Sequence, residues 1–174
     1  MLIAHSTVLL RSPTGECARG QRGVFLIEAL LGILIFSLGI LALIGMQAAA
    51  ISAQSDARYR MEAANQAEKI VNTIWLSVDR TTATTLQTSL LTFQHMTGGT
   101  GCAFTGSASS NALATSWASA VQATGTGLPG STSAMQQITV DTSTAGFNKV
   151  SVSVCWLAPR ALTPSRHTVV TFVN

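Results

Sequence analysis

Charge is what this sequence holds least of: Asp, Glu, Lys and Arg make up 10% of its 174 residues, against about 25% in typical soluble proteins. The net charge of +3 misleads, because Arg11, Arg19, Arg22 and Glu16 contribute +2 of it. From Val24 onward seven basic side chains stand against six acidic ones, with no basic stripe. Nucleic-acid binding needs such a stripe, so no nucleic-acid partner is expected. Acids run out altogether between Arg80 and Gln136, and Asp141 is the single acid from Arg80 onward. Paired-carboxylate hydrolysis therefore lacks its second partner there. Histidine is almost as rare. After residue 23 only His95 and His167 remain, neither spaced with Cys, Asp or Glu as the three or four ligands of a zinc site require.

The glycine patterns lack the company that would make them chemical. Gly125-x-Gly127-x-x-Gly130 has Pro129 inside it, and Asp141 comes too early for the ribose acid of a dinucleotide fingerprint, so it reads as a turn. Thr97-Gly-Gly-Thr-Gly101 lacks the Gly-Lys-Ser/Thr end of a phosphate loop and reads as a flexible connection. No Gly-x-Ser-x-Gly elbow appears. The expectation is a non-enzyme with no cofactor, no metal and no catalytic residue.

What is present is one long apolar run. From Val24 to Met46 Glu28 is the only charge, and a helix of that length would cross a hydrocarbon core of about 30 Å. A carboxylate in such a segment costs roughly 2.5–3.5 kcal/mol on insertion scales, which points to a role for Glu28. Arginines precede the run and no basic residue comes after it until Arg58. The positive-inside rule then keeps the N-terminus cytoplasmic and exports everything after Met46. Export gives Cys102 and Cys155 an oxidising compartment in which to pair, Cys17 lying ahead of the membrane segment. Such a bridge would add about 4 kcal/mol by loop entropy; two separate buried thiols are the alternative. Two further readings of the apolar run remain open. One is a secretory signal cut at the small residues near Ala50, although the run exceeds the usual signal core of about 7–15 residues. The other is a plain uncleaved anchor.

The helix signal continues beyond the membrane length. Ala63, Ala67, Ile70, Val71, Ile74, Trp75 and Val78 recur at three- and four-residue steps, and Arg58–Glu62 is an i,i+4 pair of opposite charge. A helix from Val24 to about Asp79 would be about 84 Å long, too long to be buried by a domain as small as the C-terminal remainder. Its first half requires lipid or other subunits, and its second half the domain after it. No proline interrupts it, but Gly32, Gly39 and Gly45 do. Each costs about 1 kcal/mol relative to alanine; the readings are the ordinary glycine content of a membrane helix, which lets helices approach closely, or a soft point at Gly39 and Gly45. Residues 80–135 are rich in Ser, Thr, Ala and Gly. Within them Leu86, Leu90, Leu91 and Phe93 fit either a short helix or a strand, and Asn111–Val121 fits a short helix carrying Trp117. From residue 136 the period changes to two. Residues 137–141, 149–156 and 167–173 alternate apolar and polar, separated by turns at Ala145-Gly146-Phe147-Asn148 and at 159–164. Three antiparallel strands with one buried face, laid on the second half of the helix, make an α+β fold.

Gly23-Val24-Phe25-Leu26-Ile27-Glu28, with the apolar run directly after it, resembles the type IV prepilin signature. The resemblance implies a leader over residues 1–23, long for this family and so suggesting a start codon further downstream. It implies a cut between Gly23 and Val24 by a prepilin peptidase that also methylates the new N-terminus, here Val24 in place of the usual Phe. Glu28 becomes fifth in the mature chain and serves assembly by pairing with the amino group of Val24 or of a neighbouring subunit. The implied segments are a filament-core helix over 24–46, an amphipathic continuation over 47–79, a variable segment over 80–135 and the strands of a pilin head over 136–174. Gly39-Ile-Leu-Ala-Leu-Ile-Gly-Met-Gln47, Leu128-Pro129-Gly130 and Val152-Ser-Val-Cys-Trp156 are similar to stretches of minor pilins of the pilus-modification (PilV) type. The implied partners are the peptidase, major and minor pilins, the inner-membrane assembly platform and the lipid bilayer. The implied location is the bacterial inner membrane, with the head in the periplasm, and then the filament at the cell surface. Type II secretion pseudopilins share the N-terminal signature and are the near alternative. An exported binding module, secreted or anchored, is the alternative of a different class.

Overall fold

Residues 22–144 and 147–174 are described by a computed structural model. Most of the expected leader, with Cys17, and the turn residues Ala145 and Gly146 lie outside the described residues. The chain divides into two compact units between Ala48 and Ala49. Helix α1, Arg22–Ser77, supplies the described part of the first unit and opens the second.

In the second unit α1 carries one buried stripe, Ala63, Ala67, Ile70, Val71 and Ile74, which Val78 extends just past the helix end. The steps of three and four place these residues on one face. The expected end near Asp79 comes two residues earlier. Val78 still donates its N–H to Ile74 O (3.1 Å), and then Asp79 Oδ1 accepts the N–H of Thr81 (2.8 Å), a local bond that competes with the helical one. Trp75, expected in the stripe, is 39% exposed. It lies at the stripe's margin, where its Nε1 donates to Thr171 Oγ1 (3.3 Å) and the Arg80 guanidinium stands 5.3 Å from its ring centroid. Glu62, one turn after Arg58, accepts on Oε1 from Gln66 Nε2 (2.9 Å) within the same helix.

The open choice between helix and strand around Leu86 resolves to helix α2, Ala83–Thr92. Thr82 caps it in a reciprocal box with Thr85, and Leu86 and Leu90 are buried one turn apart. Helix α3, Ala112–Val121, starts at Asn111, whose side chain accepts the N–H of Leu113, and buries Ala114, Trp117, Ala118 and Val121. The Trp117 indole donates to Gln66 O (2.8 Å), which fixes α3 to α1.

Thr97–Gly101, read from sequence as a flexible connection, belongs instead to an ordered hairpin of β1, Gly98–Thr100, and β2, Ala103–Thr105. Gly101 and Cys102 form its two-residue turn with φ of 63° and 68°, the geometry that suits the twist of paired strands. Gly99 also has positive φ, and a Cβ there would run into the carbonyl of Ala103. Glycine chemistry alone does not distinguish a loose loop from such a turn; the pairing does.

A 3₁₀ turn at Ser133–Met135 leads into β3, Gln136–Thr144, then β4, Phe147–Trp156, and β5, Ser165–Val173. The three strands are antiparallel with β4 central. Each expected strand is present but longer, and Phe147 and Asn148, assigned to a turn, are strand residues. Asn148 is buried there because its Nδ2 donates to Val173 O (3.0 Å) and its Oδ1 accepts from Gln87 Nε2 (3.3 Å). The inner face, with Ile138, Val140, Val150, Val152, Val154 and Trp156, forms one core with the α1 stripe, α2 and α3. The outer face carries a smaller cluster of Cys102, Phe104, Met135 and Cys155, where the hairpin covers β4. Cys102 and Cys155 are joined there by a disulfide, their Cα atoms 5.8 Å apart.

Three outcomes test this packing. Ile74→Ala, in the fully buried stripe, is expected to cost about 2–5 kcal/mol in urea unfolding. Leu76→Ala, two residues on but 87% exposed, should stay within about 0.5 kcal/mol. Peptide mapping without reductant should recover Cys102 linked to Cys155, and free thiols at both positions would contradict the bridge.

Candidate functional site

The first unit shows the candidate site in the starkest form. Sixteen large apolar side chains from Val24 to Met46 are each at least 41% exposed. Each would contribute about 1.5–3 kcal/mol if fully removed from water, so this surface demands a cover that the described chain does not supply. The helix is long and apolar enough to cross a membrane by length and composition. Its one hydroxyl in the apolar run is already satisfied, Ser37 Oγ donating to Ile33 O (2.7 Å), which removes one cost of an apolar medium. A Cβ built at Gly32, Gly39 or Gly45 meets nothing within 4 Å. These glycines are therefore not required by packing within the chain, and α1 runs through all three without a break.

Gly23 and Val24 lie in the first turns of α1, and Glu28 comes four residues after Val24, on the same face of the helix and exposed. Cys102 and Cys155 belong to the second unit, so the candidate residues form two separate groups rather than one centre. Among the described residues no group of three or more His, Cys, Asp or Glu is placed to hold a metal.

Two features of the second unit were not evident from sequence. One is a cleft of about 530 Å³ where Arg58, Tyr59 and Glu62 of α1 face the 122–131 loop. The loop is held in shape by Leu128 N–H on Val121 O (2.8 Å) and Gly127 N–H on Ala123 O (2.7 Å). The i,i+1,i+4 spacing of its helical wall is visible in sequence, but the opposite wall comes from about sixty residues further along the chain.

The other is His95, read as an isolated histidine and found buried. Its Nδ1 accepts the N–H of Ser109 (3.1 Å), which places the neutral ring's proton on Nε2, a buried atom with no partner. Its backbone N–H and C=O both bond Ile138 (3.0 and 2.9 Å), and Ser109 Oγ donates to Thr92 O (2.7 Å). One residue thus ties α2, the loop before α3 and β3 together. Burial holds the imidazole below its ordinary pKa, because the charged form loses hydration without gaining a partner.

This shift fixes the sign of the pH effect. A folded-state pKa below the unfolded value of about 6.5 means that the unfolded chain takes up the proton first, so stability is full above that pH and falls as pH drops through the folded value. Asp79 and Asp141 are lowered by hydrogen bonds from Thr81 and Ser143, so their contribution is lost only below the ordinary carboxylate range. The thermal midpoint of the wild type should fall between about pH 7 and pH 5, and His95→Gln should flatten that interval even though it lowers the midpoint at neutral pH. An unchanged slope in the variant would remove His95 as the cause.

Comparison of the chain with family models, with curated proteins and with solved structures returns no match.

Proposed function

We infer that this chain is a minor structural subunit of a type IV pilus rather than an enzyme. The observation that carries the reading is Glu28. It is the only charge between Val24 and Ser55, on a helix segment whose large apolar side chains are exposed, five residues after a glycine. In this reading a prepilin peptidase cuts between Gly23 and Val24 and methylates Val24. The α1 segment up to Met46 waits in the inner membrane with the head in the periplasm, and then enters the filament core among major and minor pilins. Glu28 pairs with the amino group of Val24, in its own subunit or a neighbour's, because either charge left alone in low dielectric is costly. The layered head supports the reading, since one helix continues from the apolar segment into the head's core.

One observation favours a second reading. The cleft between α1 and the 122–131 loop suits an anchored binding module, which would work without entering a filament.

Mass spectrometry of the protein from envelopes or sheared pili is the first test. A mature N-terminus at Val24 carrying one methyl group is expected, with cleavage slowed or lost in Gly23→Ala. A start near Ile51 would remove the pilin reading. Glu28→Ala then separates the two functions. Cleavage and head folding should persist, while the ratio of pilus to membrane protein falls about tenfold or more for want of the charge pair. An anchored module would lose little by the same change.

A further inference from the structure

The two edges of the sheet are treated differently. Along β3 the edge is closed: His95 bonds both backbone groups of Ile138, Gln94 Nε2 donates to Val140 O (3.2 Å), and the ladder to β4 is broken between Asp141 and Thr144. Such devices keep a strand from recruiting another chain. From Arg166 to Phe172 in β5 no such closure is found among the described residues. All nine residues of β5 pair with β4 in unbroken register, without proline or bulge.

The pairing also fixes which groups of β5 point outward. Backbone groups alternate sides along an antiparallel strand. Ile138 faces away from β4, so Gln137, Thr139 and Asp141 bond it; Val150, Val152 and Val154 must then bond Thr171, Val169 and His167 on the other side. The N–H and C=O of Arg166, Thr168, Val170 and Phe172 are left at the free edge, without a backbone partner among the described residues. The same four residues point their side chains to the outer face, where Val170 and Phe172 are 49% and 50% exposed. Phe147 packs edge-on against Phe172 at 6.4 Å. The apolar strip and the row of open backbone groups thus coincide.

We propose that the β5 edge is a strand-addition site for an extended segment of a different polypeptide, with apolar side chains beside Val170 and Phe172 and a carboxylate beside Arg166. The charge pattern sets the last requirement. Lys149 lies opposite Asp141, the only acid of the outer face, whereas Arg166 stands opposite Cys155 and has no ionic partner among the described residues. Main-chain bonds give such a contact its affinity, and alternate side chains give it selectivity.

A second copy of this chain does not fit the site, an exclusion that rests on the membrane-anchored reading above. Antiparallel pairing of two β5 edges in a continuous sheet needs a two-fold axis normal to the sheet. That rotation reverses α1, which lies against the sheet, whereas chains inserted through α1 in one membrane run it the same way. Parallel pairing of two β5 edges turns one copy's outer face over, so that in near register Arg166 meets Ser165 or His167 of the other copy and no carboxylate. Pairing of β5 with the β3 edge of another copy is blocked by the closure at His95.

The experiment is amide hydrogen exchange on the full chain in detergent micelles, with a short capped peptide of alternating valine and threonine that ends in glutamate. The amides of Arg166, Thr168, Val170 and Phe172 should exchange freely in the chain alone and slow about tenfold or more with saturating peptide. Those of His167, Val169 and Thr171, already in the ladder, should not change. Val170→Pro removes an edge donor without touching the β4 ladder, a position where proline is tolerated, and should weaken peptide binding about tenfold or more. Val170→Lys, which keeps the backbone donor, should weaken it through the side-chain contact. A lysine-ended peptide should bind less well, and Arg166→Glu should invert that order. No slowing with peptide, or edge amides already protected in dilute chain alone, would overturn the proposal. Protection that grows with chain concentration and needs no peptide would name a second copy as occupant. With a mature start near Ile51 that outcome traces to failure of the anchoring reading, and with a start at Val24 it refutes a different polypeptide as the occupant and so overturns the proposal.

Discussion

The structure depends on one mismatch: α1 bears more apolar surface than the chain after it can cover. A sheet of three strands with two short helices reaches only the stripe from Ala63 to Val78. Everything from Val24 to Met46 is left bare, and hydrophobic burial at about 25 cal/mol per Å² makes that state untenable in water. The head therefore exists as a cap on half of a helix, and the other half, long and apolar enough to cross a membrane, has no cover among the described residues. The function proposed for the chain rests on this partition more than on any side chain except Glu28.

The head compensates for its small core by tying distant segments with polar and covalent links. Trp117 fastens α3 to the backbone of α1, His95 joins α2 to β3, and the disulfide holds the hairpin on the outer face of β4. Each link fills a place where a segment rich in Ser, Thr and Gly has few large side chains to bury. The cost shows at His95 Nε2 and Gln136 Oε1, buried polar atoms left without partners, of the kind that lowers the stability of small domains. The same economy leaves the sheet asymmetric, with β3 closed by its neighbours and β5 open.

Much of this was legible in the linear pattern, for local reasons. The apolar run, its single carboxylate and the three- and four-residue steps of Ala63 to Val78 read directly as one long helix, because helical periodicity is a property of neighbours. The alternation in 149–156 and 167–173 read as strands for the same reason. Where two local states were nearly equal, sequence left the matter open or misjudged it. Leu86 to Phe93 needed the Thr82–Thr85 cap to become helix, and Thr97–Gly101 needed its pairing with β2 to become a hairpin.

The sequence by itself determined the α+β order of elements, the membrane-length segment, the place of Glu28 within it and the cysteines available to pair. Only the tertiary structure decided which residues meet across the chain. It buried His95 against Ser109 and Ile138, moved Trp75 out of the stripe to the margin of β5, and set Arg58 and Glu62 across a cleft from the 122–131 loop. It also closed one sheet edge and left the other open. Periodicity encodes which face of an element is apolar. It carries no record of which distant backbone will arrive to pair with it, and that pairing is where this protein's unassigned surfaces arise.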